Sequence, residues 1–104
     1  MQESVDWNGR YRFTAPKNNE HEAIDGSLTL TAPSSSRVGW IGWAPSETAP
    51  VVFVRTQDHR AWIIAATTNG LGELEVTLDG RDLRGLWRLE GRVVDVKGER
   101  ETPP

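Results

Sequence analysis

The chain has 104 residues, 37% hydrophobic and 26% charged, with five Trp, two Phe, one Tyr, ten Gly, six Pro, no Cys and a net charge of −3. That length suits one domain with a single modest core whose aromatic volume is mainly indole, and the lack of Cys excludes disulfide frameworks, thiolate catalysis, iron–sulfur clusters and Cys-based zinc sites. Both charge signs are mixed along the chain without a basic stripe, which argues against a nucleic-acid partner.

Taken in order, the first segment alternates. Trp7, Gly9, Tyr11 and Phe13 share one face while Arg10, Arg12 and Thr14 take the other, the period-two signature of a strand with one buried side. A long connection follows from Ala15 to Gly26, with its best helical turn over Asn18 to Ile24, ended by Asp25-Gly26. Leu28 and Leu30 then oppose Thr29 and Thr31, and Ala32-Pro33-Ser34-Ser35-Ser36 reads as a turn. Val38 to Trp43, Val51 to Val54 and Ala61 to Ala66 are apolar at nearly every position, as in strands covered on both faces by a partner subunit, a loop or a second sheet. A second long connection, Ala44 to Pro50, separates the first two of these, and Asp58 marks a turn before the third. After Asn69-Gly70, Leu74, Val76 and Leu78 alternate with Glu73, Glu75 and Thr77. After Asp79-Gly80, Leu83, Gly85, Trp87 and Leu89 alternate with Arg84, Leu86, Arg88 and Glu90, and Glu90-Gly91 is the next turn. Residues Glu99 to Pro104 are polar, end in two prolines and read as a frayed tail.

Short strands joined by tight turns pair with their neighbours in sequence. The expected fold is all-β, an antiparallel up-and-down meander of about eight short strands closed as a small barrel, with a two-sheet sandwich as the alternative. The expected organisation is one barrel domain over residues 1–98 and a flexible tail over 99–104.

Trp7 with Gly9 in the first strand, Gly85-Leu86-Trp87 near the end and Val38-Gly39-Trp40-Ile41-Gly42-Trp43 before a polar loop together resemble the calycin group, the small barrels that include lipocalins and avidins. The resemblance implies a small hydrophobic or amphipathic ligand held inside the barrel between Trp walls. The first strand departs from the pattern, with Trp-x-Gly where those families carry Gly-x-Trp, so no ligand-contacting residue is carried over from them.

Read from the residues alone, the strongest constellation is aromatic: Trp40, Trp43, Trp62 and Trp87, with Tyr11, are the candidate ligand-binding residues of a non-catalytic barrel. Alternation sends Trp7, Trp62 and Trp87 inward and forbids Trp40 and Trp43, three apart, from sharing a face. The alternative is a protein-interaction or homo-oligomeric module. An isomerase or cyclase using Asp58, His59 or His21 is the remaining reading, although no metal motif, nucleophile elbow or phosphate loop accompanies those residues, and neither a metal nor another cofactor is expected. No apolar run approaches the roughly 18 residues of a membrane span, and the N-terminus lacks a basic region followed by an apolar stretch, so a soluble, cytoplasmic protein without a membrane partner is expected.

Overall fold

In a computed structural model, residues 6–17, 22–30, 36–41 and 47–101 are described. They form eight strands: β1 (Gly9–Ala15), β2 (Ile24–Leu30), β3 (Arg37–Ile41), β4 (Glu47–Gln57), β5 (Arg60–Thr67), β6 (Gly70–Asp79), β7 (Asp82–Leu89) and β8 (Arg92–Arg100). Every strand pairs antiparallel with the next, and β8 returns to β1 to close the barrel. The meander is therefore closed, and the two-sheet alternative is excluded by the β1–β8 ladder, in which Tyr11 to Thr14 face Arg100 to Lys97.

The alternation expected for β1, β6 and β7 is met. Tyr11 and Phe13, Leu74, Val76 and Leu78, and Leu83 and Trp87 point inward and are buried, while the intervening residues face out. Tight turns fix the register. At the β5–β6 hairpin the Thr67 hydroxyl donates to the Gly70 carbonyl at 2.6 Å and accepts from the Asn69 N–H at 3.1 Å. At the β7–β8 hairpin Glu90 and Gly91 both adopt positive φ, 52° and 78°, the pair of left-handed residues that matches the twist of two adjoining strands.

Inside the barrel, large rings face missing side chains. The Trp87 indole covers Gly72, where a Cβ would come within 2.5 Å of its Cζ2, and the Phe13 ring covers Gly26, where a Cβ would meet Cδ2 at 2.9 Å. Gly26 therefore lies within β2 rather than ending a helical turn: Asp25-Gly26 pairs with Thr14 and Phe13, and the expected turn is replaced by strand because the Phe13 ring needs that space. The rest of the proposed helical turn, residues 18–21, lies outside the described residues.

Two further expectations are corrected. The second long connection is shorter, since β4 begins at Glu47 and Pro50 already pairs with Arg37. The C-terminal strand is longer: Glu99 and Arg100 belong to β8, and the Glu101 N–H donates to the Arg10 carbonyl at 2.9 Å while its carboxylate meets the Arg12 guanidinium at 2.8 Å. Residues 102–104 lie outside the described residues. On the outer side of the doubly apolar strands β4 and β5, Val52, Phe53 and Val54 are exposed among the described residues.

One barrel end is shut by the approach to β1. Trp7 is buried there, its ring centroid 6.0 Å from that of Tyr11, and its indole N–H donates to the Asp58 carbonyl of the β4–β5 turn at 3.4 Å. The Tyr11 hydroxyl donates to the Trp7 carbonyl at 2.6 Å in a buried bond. Burial raises the Tyr11 pKa above its ordinary 10.0, with the Arg100 guanidinium lowering it and Asp6 adding to the rise. A raised folded-state pKa favours the protonated form in the native protein, so this contribution to stability is present below pH 10 and is lost as pH rises from there through the folded value. Because Tyr11 is the only tyrosine, tyrosinate absorbance reads it without interference: the native titration should lie above that of the urea-unfolded chain. Tyr11→Phe should lower stability by about 1–2 kcal/mol by leaving the Trp7 carbonyl without its buried donor, and chemical denaturation near neutral pH checks it.

Candidate functional site

The structure does not gather the five aromatic candidates. Tyr11 is interior, at the end that Trp7 closes, with its hydroxyl already bonded and Arg100 5.5 Å from its ring centroid. Trp87 is interior toward the opposite end, 1% exposed, between Leu74 of β6 and Val94 of β8. Trp40 is placed in β3, its backbone opposite Gly26 and Glu47. Trp43 lies outside the described residues.

Trp62 corrects the sequence reading. Ala61, Ile63 and Ala65 take the interior of β5, and Trp62 lies half-buried on the outer face. A signal for this exists in the sequence. The two-residue turn before Gly70 sets Thr67 opposite Gly70, and counting back from it sets Trp62 opposite Glu75. Glu75 must face out because Leu74 and Val76 face in, and directly opposed residues share a face. On that face Trp62 is flanked by two cations, the Arg55 guanidinium 5.4 Å and the Arg60 guanidinium 5.7 Å from its ring centroid.

From Trp62 toward the β5–β6 hairpin, β4, β5 and the start of β6 present apolar side chains on the outer surface. In β4 the register with β5 slips between Val51 and Phe53, the signature of a bulge, and this extra residue turns Val52 and Phe53 outward together. Val52 is 58% exposed, Phe53 51% and Leu71 67%. Phe53 opposes Ile64, and Leu71 opposes Ala66, so the exposed side chains flank a half-buried strip of Trp62, Ile64 and Ala66. Sequence reasoning found these residues apolar and missed that they are bare. Polar groups bound the strip. Arg55 and Arg60 stand at one end, and on the far side Arg88 Nη1 lies 3.3 Å from carboxylate oxygens of both Glu73 and Glu75. Those pairs are exposed enough that each contributes only a few tenths of a kcal/mol.

Asp58 and His59 are exposed at the β4–β5 turn, beside a shallow surface groove shared with Gln57, Arg60, Trp62 and Thr77. Asp58 takes a positive φ of 54° there, a backbone role common for Asp in turns, and the His59 carbonyl accepts the Leu78 N–H at 2.8 Å. His21 lies outside the described residues. Among the described residues no group of three His, Asp or Glu side chains is placed to hold a metal ion, and no helix is long and apolar enough to cross a membrane. No family model matches the chain, and no curated protein or solved structure is similar to it.

Proposed function

We propose that this barrel is a non-catalytic binding module that meets a protein partner on the outer surface of β4 and β5. The observation that supports it is the bare apolar strip: Val52, Phe53 and Leu71 are each more than half exposed beside Trp62, whereas buried interior rings are packed against glycines. Contiguous apolar exposure on a small domain marks interaction surfaces, and Trp, Phe and Arg are the residues enriched where such contacts carry energy.

A second reading keeps the ligand inside, as the calycin resemblance implies. Its support is the closed up-and-down barrel with Trp87 and Tyr11 as interior walls, and its ligand class is small and hydrophobic or amphipathic. A single probe separates the two. Anilinonaphthalene sulfonate, added to dilute protein, should bind the outer strip, where Arg55 and Arg60 suit its sulfonate. Most of the enhanced emission should then be lost in the double variant Phe53→Ser, Leu71→Ser and kept in Trp87→Phe. The reverse outcome places the apolar site inside and sinks the outer-surface reading.

A further inference from the structure

Cations that are scattered along the chain meet on the barrel. The register sets Arg60 of β5 opposite Thr77 of β6, Thr77 opposite Arg84 of β7, and Arg84 opposite Lys97 of β8, and directly opposed residues share a face. All four side chains are exposed on the outer surface, while Ala61, Val76, Leu83 and Val96 beside them point inward. Three cations and a hydroxyl therefore form one lateral row, on strands whose backbones lie about 4.8 Å apart. Within it, Arg84 directly opposite Lys97 is a like-charge pair, which destabilises a sheet. Two other outward arginines are neutralised, Arg12 by Glu101 and Arg88 by Glu73 and Glu75. Among the described residues no carboxylate pairs with Arg60, Arg84 or Lys97.

Thr77 stands at the centre of the chemistry. Arginines flank it on both ladder sides, and the shallow groove beside the β4–β5 turn is walled by His59, Arg60, Trp62 and Thr77 itself. The Arg60 guanidinium lies 5.7 Å from the Trp62 ring centroid, so its freedom is restricted before any ligand arrives. Two planar forks and a hydroxyl around one point suit a tetrahedral oxyanion of charge about −2, because each guanidinium can donate paired hydrogen bonds to phosphate oxygens. We propose that a phosphomonoester dianion binds over Thr77 between Arg60 and Arg84, with Lys97 extending the positive field. Val52, Phe53 and Leu71 take no part, so this site and the apolar strip stand or fall separately. The rows on either side limit the ligand. Asp79 opposes Asp82 at the β6–β7 turn, Asp95 and Glu99 stand two residues to either side of Lys97, and Glu75 is held by Arg88 at 3.3 Å. These carboxylates confine the positive area to a single row, which fits a compact dianion and disfavours a long phosphodiester chain.

Phenyl phosphate titrated into the isotope-labelled full chain at low ionic strength, followed by two-dimensional amide NMR, tests this. Saturable shifts should appear at the backbone amides of Arg60, Thr77 and Arg84, with a dissociation constant in the millimolar range because the cations are exposed. Arg60→Gln and Arg84→Gln should each weaken binding by about threefold or more. Arg10→Gln removes the same charge from an exposed position on β1 and should change it little. Asp82→Asn should tighten binding, since it removes a carboxylate two residues from Arg84. Benzenesulfonate, with the same ring and a single charge, should bind more weakly. Every replaced side chain is exposed, so the fold is retained, and the amide spectrum itself verifies it. A phosphoserine peptide that binds more tightly than phenyl phosphate marks a phosphorylated protein side chain as the source, and the reverse order marks a free ester; either result supports the site. Lack of saturable shifts at these amides overturns it, as does equal binding by the Arg10, Arg60 and Arg84 variants. Oligothymidylate binding at the same amides more tightly than both esters also overturns it, because the row then tracks a phosphodiester backbone.

Discussion

Gly98→Ala is expected to lower stability by about 3 kcal/mol or more, and the melting midpoint by roughly 12 °C or more, for the addition of one methyl group. Gly98 lies in β8 opposite Phe13 of β1, on the ladder that closes the barrel. A Cβ there would be driven into the Arg12 carbonyl oxygen, and it would also stand 2.5 Å from the Phe13 Cα and 2.7 Å from the Arg12 carbonyl carbon. All of these are main-chain atoms of a paired strand. A side chain in the way can rotate, but here relief requires β1 and β8 to separate, and the bonds on either side of Gly98 go with them. The typical overpacking range is therefore the lower bound. Gly91→Asn is the control. Gly91, unlike Gly98, adopts a positive φ, but a Cβ there meets nothing within 4 Å, and Asn tolerates the left-handed conformation, so its cost should be a few tenths of a kcal/mol. Thermal melts of the two variants beside the parent decide the matter. Similar midpoints for Gly98→Ala and the parent are incompatible with this closure.

The closure also shows where the sequence stops being informative. Alternation in Tyr11–Phe13, Leu74–Leu78 and Leu83–Leu89 reports local burial, and it placed β1, β6 and β7 and the inward Trp87 correctly because one face of each strand is polar. The run Ala61 to Ala66 is apolar in both phases, so period two is silent there. Trp62 could be oriented only by counting through the hairpin to Glu75. Glycine inside a strand suggests close approach, but that Gly98 meets β1 depends on a pairing between the two ends of the chain, which no local pattern carries. The exposed run Val52 to Val54 of β4 was hidden for a similar reason. The outward turn of both Val52 and Phe53 follows from the bulge between Val51 and Phe53, a property of register and not of the side chains themselves. The candidate site moved outward accordingly: the apolar residues were legible, and the face they occupy was not.

Trp87 and Gly72 should behave as one unit. Trp87 is 1% exposed, and its ring occupies the space a Gly72 side chain would fill, so Trp87→Ala should cost about 3–5 kcal/mol through lost burial and the cavity left behind. Gly72→Ala should itself be destabilising by about 1–3 kcal/mol, since its methyl group would overlap the indole at Cη2 and Cζ2. The two effects are not independent. With Trp87→Leu the ring is gone, and the same methyl group enters vacated space, so Gly72→Ala should become neutral or stabilising in that background. A double-mutant cycle by urea denaturation should then give a coupling of about 1–3 kcal/mol, in the favourable direction. The cycle bears directly on what the interior is for. If Trp87 were the wall of an open ligand pocket, the indole could swing aside, Gly72→Ala would be tolerated in the parent and the coupling would vanish. A large coupling means that the ring is held against the neighbouring strand β6 by packing alone, which leaves the bare outer face of β4 and β5 as the surface with apolar area to offer a partner.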